Sequence, residues 1–218
     1  MVLLPVSMSN VRILFAAQVL TGSGLTAVVL FGGILSAKLS PNASWATLPV
    51  SIAIVGMALS TVPASLLVRM VGRRVGLITG ASIGIVAALL CAYAIAHSSF
   101  LLFCLGSMLF GTATAFTMQY RFVAAESVAR EHASQAISYV LLGGLGSALI
   151  GPQAAMAARA WWLKYEYARS FVVVGLLYAL GAIVLCKLRP PESTAPVPAG
   201  DGPSIRELIA EPMLRKAV

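Results

Sequence analysis

The stretch "PASLLVRMVGRRVGLITGAS", residues 63–82, joins two apolar runs through a basic knot of Gly72, Arg73 and Arg74, with Arg69 just before it. The run before it is long, and so is the run after it. Dense positive charge between two greasy segments fits a short turn between membrane-crossing helices, because Lys and Arg accumulate in cytoplasmic loops. The rest of the chain decides whether that reading holds.

Of the 218 residues, 59% are hydrophobic and 10% are charged, and the mean hydropathy is +0.93. Soluble domains carry about 25% charged residues, so the composition points to an integral membrane protein. All seven acids lie at or after Glu126. The net charge of +8 does not imply nucleic acid as a partner. The basic residues stand singly or in pairs between apolar runs, with no basic face and no interleaved aromatics. Cys91, Cys104 and Cys186 lie within apolar runs and form no CxxC pair, which suits small packing residues rather than a disulfide framework. The N-terminus "MVLLPVSMSNVR" lacks a small-residue cleavage pattern, so the first segment reads as a retained helix.

A helix crosses the bilayer in about 20 apolar residues. Six segments qualify: 11–36, 46–70, 77–98, 100–121, 136–158 and 168–188. Short breaks separate them: "KLSPNASW", "VGRRVG", "HSS", "VAREHASQ" and "WWLKYEYARS". Backbone in lipid must satisfy its own hydrogen bonds, and the runs neither alternate nor shorten as barrel strands would, so the fold class is all-α. Residues 1–188 form a six-helix transmembrane lobe. Residues 189–218 read as a cytoplasmic linker, rich in proline at first, and then the start of a helix in which Ser204 is a plausible N-cap with Glu207 three residues on.

With the N-terminus inside, the cytoplasmic side holds Arg12, Arg69, Arg73, Arg74, Arg121, Arg130, Lys187, Arg189, Arg206, Arg215 and Lys216, eleven in all. The outer side holds four: Lys38, Arg159, Lys164 and Arg169. Both termini are therefore expected in the cytoplasm. Trp45, Trp161 and Trp162 then fall at the outer interface, where indoles settle.

The basic knot also resembles the loop between helices two and three of the major facilitator superfamily, whose pattern is Gly-x-Leu-x-Asp-Arg-x-Gly-Arg-Arg. Leu67, Gly72, Arg73 and Arg74 match; Ser65 replaces the first glycine and Arg69 the aspartate. In the superfamily that aspartate belongs to an ion-paired gating latch. Here Glu126 is placed to pair with Arg69 as an exchanged partner, or locally with Arg130 at i,i+4. The fifth segment, "YVLLGGLGSALIGPQAAMA", is similar to the superfamily's glycine-rich antiporter motif, in which Gly-Pro breaks helix five. Gly151 and Pro152 match it, while Ala154 and Ala155 stand where a glycine pair would. Ordinary close packing with a proline kink is the plainer account of the same residues.

Residues 118–152, "MQYRFVAAESVAREHASQAISYVLLGGLGSALIGP", and the end "IRELIAEPMLRKAV" resemble a bacterial branch that includes copper importers serving cytochrome oxidase assembly. The resemblance implies one six-helix lobe of a secondary transporter in the inner (cytoplasmic) membrane. It implies a small solute or metal ion as cargo, with copper the branch's suggestion. The lobe would pair with a second six-helix lobe, or with another copy as a homodimer. The branch's metal motifs lie in helices seven and eight, where this sequence has no counterpart. Among sulfur ligands suited to Cu(I), only Cys104 and Met108 have helical i,i+4 spacing, and packing explains them equally. No resident cofactor is implied.

In the superfamily, helices one and four line the cavity while three and six face outward. Polar side chains in a span are costly and turn toward a water-filled interior. That marks Gln18 and Thr21 in the first span, and Thr117, Gln119, Tyr120 and Arg121 in the fourth, as cavity candidates. An interhelical hydrogen bond for Gln18 and an interfacial anchor for Arg121 are the structural alternatives. The sixth span, "FVVVGLLYALGAIVLC", is almost pure hydrocarbon, as a peripheral helix should be. Competing classes are a truncated or non-transporting membrane interaction protein and a lobe of a drug or metabolite antiporter. An intramembrane enzyme is disfavoured: His97 and His132 sit at span edges, and no His-Glu-x-x-His motif occurs.

The charge count predicts that cysteine labels placed after Ser40, Gly72, Ser99, Ala133 and Lys164 alternate outside, inside, outside, inside, outside. Labelling of the Gly72 site by an impermeant reagent from the periplasm would reverse the assigned orientation.

Overall fold

The computed structural model describes residues 5–40, 42–159 and 166–189. Trp161, Trp162, Lys164 and the segment beyond Arg189, with Ser204 and Glu207, lie outside the described residues. The helices are α1 (Pro5–Thr21), α2 (Ser23–Leu39), α3 (Leu48–Met70), α4 (Arg73–Ala96), α5 (Phe100–Thr117), α6 (Tyr120–Glu126), α7 (Ala133–Arg159) and α8 (Glu166–Leu185). Two spans are built from two helices each. α1 and α2 share one span, Met8–Leu39, and α5 and α6 share another, Phe100–Glu126. With α3, α4, α7 and α8 this makes, among the described residues, six columns long and apolar enough to cross a membrane.

Hydroxyls flank the interruption between α1 and α2. Thr21 Oγ1 bonds to the Ala17 carbonyl at 2.9 Å, and Ser23 Oγ to that of Leu20 at 2.9 Å, on either side of Gly22. Such back-bonding loosens a helix locally. The Gly22 N–H still reaches the Gln18 carbonyl at 3.0 Å, so the column continues through the interruption.

Packing follows a pseudo-symmetric plan. The first span packs on α7 and α8, the fourth packs on α3 and α4, and α4 and α8 pack on each other. This is the relation expected of two three-helix repeats. The fourth span is the most enclosed, with 56% of its core window buried, against 17% for α3 and 22% for α7. The third and sixth spans are therefore not the exposed ones within this lobe. Their windows are 50% and 44% buried.

The cause is a stripe of small residues on α4: Gly76, Gly80, Gly84 and Ala88, each four apart. Gly76 lies against Val68, Gly80 against Phe116, Gly84 against Tyr178, and Ala88 against Gly175. Lipid supplies no hydrophobic drive for helices to associate, so close packing at small residues has to hold them together. α3 and α5 cross the same way. A β-carbon on Gly56 would meet the Met108 carbonyl, and one on Gly111 would meet the backbone of Ala53 and Met57. One turn along the seam, Ser60 and Thr112 share a hydrogen bond of 2.9 Å.

At one end of the bundle the buried Asn10 side chain bonds both ways to Arg189. Its Nδ2 donates to the Arg189 carbonyl at 3.0 Å, and the Arg189 N–H donates to Oδ1 at 3.3 Å. The start of the first span and the exit from the sixth therefore lie on one face. At the opposite end, Trp45 stacks on Phe100 with ring centroids 6.0 Å apart.

Gly111→Leu should force the α3–α5 crossing apart and cost about 1–3 kcal/mol, the range for overpacking. Gly33→Ala, at a position with open space around it, should leave stability nearly unchanged. Thermal unfolding in detergent compares the two.

Candidate functional site

A cavity of about 340 Å³ opens among the first, fourth and fifth spans. It lies beside the interruption at Gly22, where the polar stripe of the first span faces α5 and α7. The polar lining is Gln18, Thr21, Thr26, Thr114, Thr117 and Ser147; Leu25, Val29 and Met118 complete the wall. None of these side chains is charged.

The hydroxyl protons are already committed. Thr21 bonds to the Ala17 carbonyl at 2.9 Å, Thr26 to Gly22 at 3.2 Å, and Thr114 to Phe110 at 2.8 Å. Thr117 bonds to the Ala113 carbonyl at 3.1 Å, and Ser147 to Gly144 at 2.7 Å. A hydroxyl has one proton and two lone pairs. The cavity therefore presents acceptors, and it suits a neutral molecule rich in O–H or N–H donors. Gln18 adds an amide with both functions. It packs over Gly143 and Gly144 of α7, its Nε2 being 3.7 Å from where a β-carbon of Gly144 would stand.

The structure thus brings Gln18, Thr21 and Thr117 together. It places the other cavity candidates elsewhere. Tyr120 is 1% exposed and packs beneath the wall, its hydroxyl 3.3 Å from Thr21 Oγ1, where it ties the first span to the fourth. Gln119 is half-buried at the turn between α5 and α6. Arg121 follows on α6, with its guanidinium carbon 4.9 Å from the Phe122 ring centre. Its Nε is buried and has no hydrogen-bond partner among the described residues. Thr26, Thr114 and Ser147 line the cavity outside that candidate set, and Ser147 lies on a span the polar-residue argument did not reach. Its signal was the four-residue spacing Gly143, Ser147, Gly151, which lays a narrow face of α7 against Gln18, Gly22 and Ser23.

Gly151 and Pro152 do not break the fifth span. α7 continues through Pro152, and a β-carbon at Gly151 would lie 3.0 Å from Ser23 Cβ. The missing proline N–H leaves the Ala148 carbonyl without its helical donor, a local weakness rather than an end.

The basic knot is rearranged relative to the sequence reading. Arg73 and Arg74 form the first turn of α4, and Gly72 is its N-cap at φ 88°, a conformation that L side chains rarely adopt. Glu126, at the end of α6, forms its ion pair with Arg73, not with Arg69 or Arg130. The reason is electrostatic and local. Two arginines at a helix N-terminus face the positive end of its dipole, and a carboxylate there relieves both. Arg69 and Arg74 are exposed, and Leu67 is half-buried in the last turn of α3. Cys104 is buried near Cys91, whose thiol lies 4.0 Å from the Phe103 carbonyl, while Met108 packs its backbone on Gly56. Among the described residues, no group of three or more His, Cys, Asp or Glu stands ready for a metal ion.

Comparison with known proteins adds to this geometry. The family model described as Major Facilitator Superfamily matches residues 6–217. The riboflavin transporter RfnT of Brucella anthropi is 37% identical over 183 residues, which is 84% of this chain and 46% of the relative. The uncharacterized MFS-type transporter YdeG of Bacillus subtilis is 28% identical over 179 residues, 80% of this chain and 41% of the relative. The chain spans about half the length of the curated relatives it matches. With six apolar columns arranged as an N-terminal lobe, the chain belongs to the major facilitator superfamily, a family of membrane carriers rather than enzymes.

Proposed function

We propose that this lobe forms one side of a secondary transporter for riboflavin or a similar neutral, hydroxyl-rich solute. The carrying observation is the uncharged cavity whose Thr and Ser protons are bound to backbone carbonyls, leaving acceptors for a polyol's hydroxyl donors. The name of the relative RfnT supports the same chemistry. Copper loses its basis. Its support was a branch resemblance, and the named relative carries a flavin instead. The cavity is to be completed by a second six-helix lobe, which covers the polar stripe of the first and fourth spans. The excess of arginine on one face supports insertion in the cytoplasmic membrane with both ends of the lobe inside. The Arg73–Glu126 pair is the lobe's share of a cytoplasmic gate. It ties the loop after α3 to the end of the fourth span, so motion of either is felt by the other.

A riboflavin-auxotrophic bacterium expressing the complete gene product should grow on micromolar riboflavin and accumulate labelled vitamin. Gln18→Leu or Thr117→Val should raise the KM for uptake about tenfold, as expected when one good hydrogen bond is lost. Copper accumulation should not change. An auxotroph that stays dependent on high riboflavin despite normal expression would refute the reading.

Arg73→Glu should slow uptake without altering membrane insertion, and adding Glu126→Arg should restore most of it. Equal impairment of the single and double variants would remove the pair from gating.

A further inference from the structure

A second, larger cavity, about 590 Å³, lies further along the same seam between the first and fifth spans. On α1 the succession Arg12, Phe15, Gln18, Gly22 runs down one face, a turn or so apart. On α7 the facing succession is Gln135, Tyr139, Gly143, Ser147. The seam is tight at its middle, where a β-carbon on Gly143 would lie 2.9 Å from the Phe15 carbonyl. The rings of Phe15 and Tyr139 pair there at 4.7 Å between centroids. The hydroxyl-lined cavity lies on one side of this aromatic pair and the larger cavity on the other.

The two cavities differ in chemistry. The larger has apolar walls from Val11, Val128 and Ala136, one phenol face from Tyr139, and a rim of Arg12, His132 and Gln135. Tyr139 is 42% exposed although its ring is backed by Phe15. An apolar cavity bordered by a partly exposed aromatic ring, with a few donors at its edge, suits a planar heteroaromatic ring. It does not suit a polyol. The two cavities are close enough to share one molecule: Val11 and Gln18 are seven residues apart on the same column, about 10 Å at the helical rise.

We propose that the larger cavity holds the fused ring of the solute, stacked on Tyr139, while its hydroxylated chain reaches past Phe15 to Gln18 and the acceptor-lined cavity. This rests on the riboflavin reading and adds a site to it. The specificity-determining residue for the ring is Tyr139. The polar ends of Arg12 and Gln135 meet the heteroatoms at the ring's edge.

The test uses the complete gene product in lipid nanodiscs, with flavin fluorescence as the readout. The probes are riboflavin and lumiflavin, the same ring without the hydroxylated chain. Both should bind the wild type with quenching from ring stacking. Tyr139→Leu should weaken both about tenfold and relieve the quenching, the effect of losing one stacked face. Tyr139→Phe, which keeps the ring, should recover most of the affinity. Gln135→Trp changes an exposed position and fills the cavity without touching the core; it should abolish lumiflavin binding. Thr117→Val should weaken riboflavin while affecting lumiflavin far less. If Tyr139→Leu and Gln135→Trp bind riboflavin like the wild type, the ring site is wrong and the riboflavin reading stands. If the wild type binds no riboflavin, both fall.

Discussion

Close approach of backbone is the constraint on which the lobe depends. Six columns of low charge sit in a solvent as apolar as their own side chains, so burying leucine against leucine gains little over leucine against lipid. What remains is dispersion between surfaces that fit. The fit is made where side chains are absent: Gly111 on Ala53, Gly80 on Phe116, Gly84 on Tyr178, Gly143 on Phe15. The fourth span receives the second on one side and the third on the other, and so becomes the most enclosed column. Its polar residues then have few directions in which to point. Thr112 faces Ser60, while Thr114 and Thr117 face the cavity.

The same constraint shapes the first span. Around the interruption at Gly22, Gln18, Thr21 and Thr26 lie on the wall shared with Ser147. The small face of α7 lets that wall close up. Charge is kept to the ends, where the Arg73–Glu126 pair sits partly exposed. Such a pair contributes only about 0–1 kcal/mol to stability. Its value is positional, since it joins two columns that the packing of α4 against α5 already brings together.

Much of this was legible in the residues. Hydropathy marked six columns, because a membrane-spanning helix has to be long, apolar and continuous. The cost of polar groups in lipid pointed to Gln18, Thr21 and Thr117, which the structure gathers. The same rule marked Tyr120, which lies beneath the wall with its hydroxyl against Thr21. A phenol that finds a hydroxyl partner is satisfied inside a protein core, and the rule does not distinguish that from a wet cavity. The partner of Glu126 was also beyond the rule. Arg69, Arg73 and Arg74 lie within six residues, and choosing among them requires knowing that the helix begins at Arg73. The stripe Gly76, Gly80, Gly84, Ala88 was present in the sequence as plain fourfold spacing. Its meaning depends on which neighbours it meets, which only the three-dimensional arrangement supplies.

The reciprocal bonds of Asn10 with Arg189 have a mechanical consequence. They close a circuit of 179 residues with a single side chain, so the first and last columns are pinned at one face. A force applied at the sixth column's exit passes at once into the first, the column that carries the cavity. A side chain far from the cavity thereby limits how far the first and sixth columns can part.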